Sequence, residues 1–439
     1  MRVLFWQSFL KDIDLRWDFI FRKKKLVVNA MEKIKVCLLT SEFLPNWGGV
    51  GTYCIELARA LADKVELHVV TLGRREKGKL VYSKEDMQDF FNGKIGVHLL
   101  TTSPANDTFV YNAKMQLSVY EKLHKLAEEC NFDLIHSNFP AMPDLLLKIG
   151  RKTCIPSITT IHTTIKGQKD GIMSSGLPFF RMDFSERCTL LLYPALRLAE
   201  QLYLRKSKKL ITVSNWMRWI IEKNYPFVPK LHVIHNGVDS KRFKPQRSNN
   251  PQTLDETRRP VVLFSSRLTV AKGVHYFIQA IPKILTKTKE VHFVFSGAGP
   301  KEHWISWLRK LNIDKSFYTF LGYVDYKLLP SLYAKADIFV APSLYENLPI
   351  RILEAMSCES AVVASNICAI PEAITNGENG ILISPGNVDE LAKVITMLLK
   401  DDELRSTLGK NARQTVIEKF SWNVIAEKTV DTYKKLLSM

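Results

Sequence analysis

The sequence contains no run of about 20 apolar residues, the length needed to cross a bilayer, so no transmembrane segment is predicted. The longest candidate, residues 188–204, is interrupted by Arg197 and Glu200. The seven cysteines are scattered and never form a Cys-x-x-Cys pair. A disulfide framework or a zinc site is therefore not expected, a reducing compartment is favoured, and all seven are interpreted as small buried hydrophobic residues.

Motifs for nucleic acid and for the common nucleotide-binding loops are also absent. The net charge of +18 favours acidic partners such as nucleic acid, anionic lipid or a phosphorylated substrate. No zinc-finger spacing, aromatic RNA-binding run or basic-region helix accompanies that charge, so nucleic acid is not predicted as a partner. The glycine-rich segments 48–51 and 297–300 match neither Gly-x-Gly-x-x-Gly nor the Walker sequence.

The first 32 residues are predicted to be an extension that precedes the folded chain. Acidic residues interrupt them early, at Asp12, Asp14 and Asp18, and no small-residue cleavage site follows, so a signal peptide is not predicted. Their aromatic residues and the basic cluster 22–25 also fit a helix that lies in a membrane interface. Both interpretations stay open.

From residue 33 onward, short apolar strand patterns alternate with amphipathic helix patterns. Such alternation predicts a parallel sheet with helices on both faces. The polar segment 241–259 is interpreted as a linker, and after it the alternation begins again. We therefore predict an α/β protein with two doubly wound Rossmann-like domains, 33–240 and 260–420, that face a cleft. Ligands of such sheets bind beyond the carboxyl ends of the strands.

The segment 343–354 follows one predicted strand and leads into a predicted helix. Glu346 is expected in the loop, Asn347 is expected to cap the helix, and Glu354 is expected inside it. Two carboxylates placed in this way can hold two parts of one elongated ligand, and the helix N-terminus between them favours an anion. The alternative is that both glutamates are ordinary surface residues.

Other polar residues stand at further strand ends. Arg267 and Lys272 share one loop, where two cations can converge on a dianion such as a departing diphosphate. The loop 48–51 lets a ligand approach the backbone, and His162 can donate to a sugar hydroxyl or carry a proton. The alternatives are solvated charges, a plain turn and a structural histidine. The segment 233–239 is interpreted as a turn where the chain leaves the first domain.

These motifs, and their order along the chain, resemble those of glycosyltransferase family 4. Members of that family are retaining enzymes of the GT-B fold that use nucleotide-diphosphate sugars. The resemblance covers about residues 33–437, and its most specific part is the Glu346-x7-Glu354 motif. It implies that the closing helix, within 421–439, crosses back onto the first domain. It also implies no metal ion and no cofactor, with the nucleotide sugar as donor substrate.

The resemblance further implies roles for particular residues. Glu346 would hold hydroxyls of the donor sugar, Glu354 would hold those of the ribose, and His162 would lie near the reacting carbon. Nearby cations are expected to keep both glutamates ionised, unlike the carboxyl pair of a glycosidase. The candidate catalytic residues are Glu346, His162, Arg267 and Lys272, and the candidate nucleotide-sugar-binding residues are Gly49, Gly51, Arg267, Lys272, Glu346, Asn347, Leu348 and Glu354.

One departure from the family concerns the backbone of the motif. The family often has Glu-Gly-Phe-Gly where this chain has Glu-Asn-Leu-Pro at 346–349, and Pro349 has no N–H to donate. The implied activity is transfer of a hexosyl group from a UDP- or GDP-sugar to a glycan or lipid-linked acceptor. A GT-B nucleotide-sugar epimerase and a non-catalytic protein that binds sugar nucleotides are the alternatives.

A cytoplasmic location and a role in synthesis of cell-envelope glycans are expected. The basic cluster 205–209 and the apolar segment 190–204 suggest docking on an anionic membrane surface, at the inner membrane face. Solvated basic faces are the alternative.

Overall fold

The computed structural model describes residues 33–45, 48–77, 79–104, 108–139, 141–150, 155–173, 178–182, 184–245 and 259–438. The predicted extension 1–32 and residues 246–258 of the predicted linker lie outside them. The described residues form two separate sheets with helices around them. The predicted fold class, an α/β protein with two doubly wound domains, is confirmed.

The first sheet is built from the first half of the chain. Its strands are β1 (Lys35–Leu39), β2 (Glu66–Glu76), β3 (Lys79–Leu80), β4 (Gly96–Pro104), β5 (Leu134–Phe139), β6 (Ser157–Ile161), β7 (Lys209–Thr212) and β8 (Leu231–Val233). They follow the order β3-β2-β1-β5-β6-β7-β8, and β4 also pairs with β2. The β2–β3 pair is antiparallel and the others are parallel.

Helices connect the strands of this first sheet. They are α1 (Gly49–Leu61), α2 (Lys84–Phe90), α3 (Thr108–Cys130), α4 (Leu145–Gly150), α5 (Ile165–Met173), α6 (Phe184–Leu191), α7 (Tyr193–Lys206) and α8 (Asn215–Asn224). Across the described part of the chain, no helix combines the length and the apolar character that crossing a bilayer requires.

The second sheet is parallel throughout and has six strands. They are β9 (Val261–Ser265), β10 (His292–Ser296), β11 (Tyr318–Gly322), β12 (Ile338–Ala341), β13 (Ala361–Ser365) and β14 (Ile381–Ile383), in the order β11-β10-β9-β12-β13-β14. Its central strands are buried along their whole length, as the continuous apolar runs predict.

Helices also cover the second sheet and close the chain. They are α9 (Val274–Leu285), α10 (Lys301–Lys310), α11 (Leu329–Ala334), α12 (Ile350–Ser357), α13 (Val388–Lys400), α14 (Asp402–Thr415) and α15 (Trp422–Leu437).

The closing helix α15 returns to the first domain, as predicted. Where the chain crosses, the N–H of Val238 donates to the carbonyl of Phe420 at 2.8 Å, and the N–H of Trp422 donates to the carbonyl of Val238 at 3.2 Å. Trp422 and Tyr433 lie in the same apolar core as the residues of β1 and α1. The hydroxyl of Tyr433 lies 2.6 Å from Nδ1 of His136 on β5. The last helix therefore joins the two domains.

Candidate functional site

Glu346 lies at the carboxyl edge of the second sheet, in the loop between β12 and α12. Its Oε1 accepts a hydrogen bond from Lys272 Nζ at 2.6 Å and another from a terminal nitrogen of Arg351 at 2.5 Å. The hydroxyl of Ser343 lies 3.4 Å from the same oxygen. The carboxylate is therefore held between two cations.

The charges around Glu346 keep it ionised. Burial by itself would raise the pKa of Glu346, but Lys272 and Arg351 outweigh it and hold that pKa below its ordinary value. Burial also lowers the pKa of Lys272, and the repulsion from Arg351 and Arg267 adds to this lowering while Glu346 opposes it. The result is a compact cluster with more positive than negative charge, which favours an anionic ligand.

The loop after β9 places Lys272 beside Glu346. The N–H of Leu344 donates to the carbonyl of Ala271 at 3.0 Å, which joins this loop to the one that carries Glu346. Gly273 has a φ of +74°, and a Cβ at this position would lie 1.8 Å from the carbonyl oxygen of Pro342. Only glycine therefore permits this approach. Arg267 lies in the same loop with an exposed side chain.

Glu354 occupies a different environment, inside α12. Its residue is 3% exposed, and it takes part in hydrogen bonds with Tyr326 and Tyr333. Burial raises the pKa of Glu354 to about 7, although the bond from Tyr326 and the charge of Arg242 act against this. The expectation that nearby cations keep both glutamates ionised therefore holds for Glu346, whereas at Glu354 burial outweighs the charge of Arg242 and the ionised form is only partly populated at neutral pH.

His162 follows β6 at the carboxyl edge of the first sheet. Its Nε2 lies 3.1 Å from Oδ1 of Asn138, and its ring meets the edge of Tyr53 with centroids 4.5 Å apart. Burial lowers the pKa of His162 to about 3, so the imidazole is neutral at physiological pH. A neutral imidazole in this position can donate or accept a hydrogen bond but brings no charge.

The glycine loop is shorter than predicted, because α1 already begins at Gly49. The residue Gly49 is exposed, and a Cβ added there would meet nothing within 4 Å. Gly51 is buried, and its N–H bonds to the carboxylate of Glu42. Gly49 therefore leaves room for a ligand, whereas the N–H of Gly51 already has a partner.

The two domains meet at the loop that carries Glu346. The side chain of Asn347 donates to the carbonyl of His162 at 2.8 Å and accepts from the hydroxyl of Ser214 at 2.5 Å. Leu348 is 2% exposed, and its carbonyl accepts from the side chain of Asn236 at 2.6 Å. Glu346 and His162 are thus brought to the same interface from opposite domains.

Two sequence interpretations change at this interface. Asn347 was expected to cap α12, but Pro349 is the N-cap residue and no side chain caps this helix. Asn347 instead bonds across to the first domain. Asn236, interpreted as part of a turn, also bonds across to Leu348.

Arg351 is a site residue that the sequence interpretation passed over. Besides Glu346, it contacts the hydroxyl of Ser343 at 2.8 Å and the carbonyl of Ser265 at 3.4 Å. A signal was present, because Arg351 is a basic residue within the Glu-x7-Glu spacing, in the first turn of the helix. What the spacing does not reveal is that its side chain turns back towards the loop.

Two family models match the chain, one in each half. The model described as Glycosyltransferase Family 4 matches residues 47–242, and the model described as Glycosyl transferases group 1 matches residues 246–415. An uncharacterized glycosyltransferase of Methanocaldococcus jannaschii is 28% identical over 92% of this chain and 99% of its own length. Both domains are thus covered by matches of the same kind.

Solved structures with the same architecture also cover most of the chain. Sucrose-phosphate synthase from Thermosynechococcus elongatus aligns with a TM-score of 0.72 at 20% identity, over 92% of this chain and 100% of its own. The Anabaena protein HepE, in complex with UDP-glucose, aligns with a TM-score of 0.67 at 21% identity, over the same shares. At such identities, the likeness establishes the GT-B fold alone.

Proposed function

We propose that this chain, which belongs to the glycosyltransferases, moves a hexosyl group from a UDP- or GDP-sugar to a glycan or lipid-linked acceptor. The transfer would retain the configuration at the reacting carbon and would use no metal ion. The observation that carries the proposal is the carboxylate of Glu346 between Lys272 and Arg351, at the interface with His162. Carboxylates accept hydrogen bonds from sugar hydroxyls, and such cations bind diphosphates.

The diphosphate of the donor would bind to the cations of the second domain. Lys272 and Arg351 share one carboxylate oxygen, and Arg267 extends from the same loop as Lys272. When the glycosidic bond to the diphosphate breaks, negative charge grows on the departing oxygen, and fixed cations stabilise it. A metal ion is not needed for this role where three cationic side chains supply the charge.

Glu354 would accept hydrogen bonds from the ribose hydroxyls of the donor. A ribose hydroxyl donates to an ionised carboxylate better than to a protonated one, so binding would favour the ionised form of Glu354. Its pKa of about 7, raised by burial, means that this form is only partly populated at neutral pH before the donor binds.

His162 and the first domain would complete the site around the reacting carbon. Because burial lowers the pKa of His162 to about 3, the ring would act as a neutral hydrogen-bond partner of a sugar hydroxyl. In a retaining transfer the acceptor attacks from the face that the diphosphate leaves, and a diphosphate oxygen takes the acceptor's proton. In this scheme His162 orients the sugar and the diphosphate serves as base.

Of the two acceptor classes, a lipid-linked one is supported by apolar side chains that are exposed on the first domain. The exposed side chains are Phe179, Phe180, Phe184, Leu191, Leu192, Leu198 and Leu202, of which Phe180 is 75% and Leu191 is 69% exposed. Arg205, Lys206 and Lys208 follow with exposed side chains, although Lys209 of the predicted basic cluster is buried. Apolar side chains beside basic ones fit an anionic membrane surface.

Vesicle flotation tests this membrane proposal. The protein is expected to float with vesicles that contain anionic lipid and to float less with neutral vesicles. A Phe180→Ser, Leu191→Ser double variant is expected to float less with either. Equal flotation of the variant and the parent protein would contradict the assignment of this surface.

Two alternatives differ from transfer in what they do to the donor. An epimerase would convert the nucleotide sugar with no acceptor present, and a non-catalytic protein would bind it without change. Incubation with a panel of UDP- and GDP-sugars, with and without added acceptors and followed by NMR of the donor, separates the three. Acceptor-dependent release of the nucleoside diphosphate, or slow hydrolysis of one donor, supports transfer. The transfer proposal would be refuted if the protein turned over none of the donors, whether or not it bound them.

A further inference from the structure

Three side chains of the kinds that ligate transition metals meet on the first domain, outside the donor site. His68 lies on β2, His98 lies on β4, and Cys130 is the last residue of α3. One ligand atom from each lies within 4.8 Å of those of the other two. No metal-ligand motif in the sequence predicts this group, because its members come from three different elements.

The register of β2 and β4 places both histidines on one face. His68 is opposite Gly96 and Val70 is opposite His98, so the two imidazoles are two positions apart on neighbouring strands. Gly96 leaves space for the first ring, since a Cβ there would lie 2.6 Å from Nδ1 of His68. The same face is covered by α3, which ends at Cys130 directly over it.

Two of the three distances within the group come close to those between ligands of one tetrahedral ion. His68 Nδ1 lies 3.0 Å from His98 Nε2, and Cys130 Sγ lies 3.9 Å from the same nitrogen. Zinc holds nitrogen at about 2.0–2.1 Å and sulfur at about 2.3 Å, which puts neighbouring ligand atoms about 3.3–3.6 Å apart. Shifts of about 0.4 Å or less would bring these two pairs to those separations.

A carboxylate also orients one of the imidazoles. Glu66 Oε1 lies 3.3 Å from Nε2 of His68, and Lys35 Nζ lies 3.3 Å from that oxygen. When Nε2 carries the proton and donates it to Glu66, the lone pair of Nδ1 is directed at Nε2 of His98, which lies within hydrogen-bond distance. Metal-binding histidines usually make such a bond to a carboxylate through the other ring nitrogen.

We propose that His68, His98 and Cys130 form a site for a thiolate- and imidazole-preferring divalent ion of the Zn²⁺ class, with water as fourth ligand. Binding would convert the Cys130 thiol to a thiolate and release one proton. The site lies at the amino-terminal ends of β2 and β4, whereas the donor site lies at carboxyl ends. The ion would therefore link β2, β4 and α3 and take no part in the sugar chemistry.

Metal binding by the full chain without a histidine tag tests this proposal. After treatment with a chelator, the protein is expected to bind one equivalent of Zn²⁺ in calorimetry and to melt at a higher temperature with it. With Co²⁺, the wild type is expected to show a thiolate-to-metal charge-transfer band that Cys130→Ser lacks. The matched control Cys188→Ser, which removes another partly buried free thiol, is expected to keep the band.

The exposed Glu66 keeps the test decisive if variants of the three ligands fold poorly. Glu66→Gln is expected to weaken Zn²⁺ binding about 10-fold, as loss of a carboxylate partner commonly does. Sugar transfer is expected to proceed at the same rate with and without Zn²⁺. Absence of the Co²⁺ band in the wild type, its persistence in Cys130→Ser, or Zn²⁺ affinity unchanged in Glu66→Gln would each overturn the proposal.

Discussion

A terminal nitrogen of Arg351 lies 2.5 Å from Oε1 of Glu346, although the two residues are on opposite sides of the boundary between loop and helix. The same nitrogen also contacts Ser343, so one side chain ties the start of α12 to the loop before it. Lys272 reaches the same oxygen from a different loop. The acidic residue of the motif is thus positioned by two basic ones.

Replacement of Arg351 by alanine is expected to reduce donor turnover about 10- to 100-fold. The variant removes a hydrogen bond between charged groups, which contributes about 1.5–3 kcal/mol, and leaves Glu346 with Lys272 alone. Steady-state kinetics with the preferred donor measure the effect. Arg309→Ala, which removes an exposed arginine of α10, serves as control and is expected to leave the kinetics unchanged. Wild-type turnover by Arg351→Ala would rule out this positioning role.

Replacement of Lys272 by alanine is expected to lower kcat about 10²- to 10³-fold, the usual loss when one fixed group that stabilises developing charge is removed. The fold should persist, as circular dichroism can verify, because Arg351 still pairs with Glu346. The exposed Lys283, which pairs with Asp389 at the surface, provides the control Lys283→Ala. If kcat stays within a factor of two of the wild type, Lys272 does not face the leaving diphosphate.

The sequence predicts that Lys272 and Glu346 each lie in a loop after a strand, and the strand order in the structure brings the two loops together. Their loops follow β9 and β12, which are neighbours in a parallel sheet, so both loops emerge at the same edge. The apolar runs 261–264 and 338–341 predict β9 and β12 to within one residue, because a buried parallel strand is a continuous apolar run. β3 was missed, since it has only two residues and both are exposed.

Side-chain direction and strand register could not be predicted in this way. The sequence shows that Arg351 is near Glu346 but not that its side chain turns back to that carboxylate. His68 and His98 are 30 positions apart in the sequence and come together only because β2 pairs with β4. The capping role expected for Asn347 was wrong for a related reason. Its side chain has a partner in the other domain, and a local pattern carries no information on such contacts.

The pH dependence of donor binding tests the assignment of Glu354. Burial raises the pKa of Glu354 to about 7, and the ribose hydroxyls are proposed to bind its ionised form. Donor affinity of the wild type should therefore rise between pH 6 and pH 8. Calorimetry with a non-hydrolysed donor analogue measures it, and Glu354→Gln should bind more weakly with no such rise. An identical pH profile in both proteins would exclude Glu354 as the titrating group.

The same pKa has a consequence for stability. A carboxyl group whose pKa is raised in the folded state contributes stability that is fully present below its ordinary pKa of 4.5 and is lost as the pH rises through about 7. Glu354→Gln cannot ionise, so its free energy of unfolding should exceed that of the wild type at pH 8, by an amount on the order of 3 kcal/mol. At pH 4.5 the two proteins should differ little. Urea denaturation at both pH values measures the difference.

The crossing of α15 depends on a glycine at the end of the first domain. A Cβ at Gly237 would lie 2.7 Å from Cδ2 of Trp422, whose ring packs on Tyr53. Because Tyr53 in turn contacts His162, displacement of Trp422 would disturb both the crossing and the site. Gly237→Ala is therefore expected to lower the free energy of unfolding by about 1–3 kcal/mol, the usual cost of overpacking, and to reduce turnover.

Gly171→Ala is the matched control for this change, since a Cβ at that position of α5 would meet nothing within 4 Å. Alanine is favoured over glycine inside a helix, so this variant should be as stable as the wild type or more stable. Urea denaturation followed by circular dichroism measures the free energy of unfolding of both variants and of the wild type. Equal stability of Gly237→Ala and the wild type would mean that Trp422 can move aside at no cost, and that the closing helix is not held to the first domain by this contact.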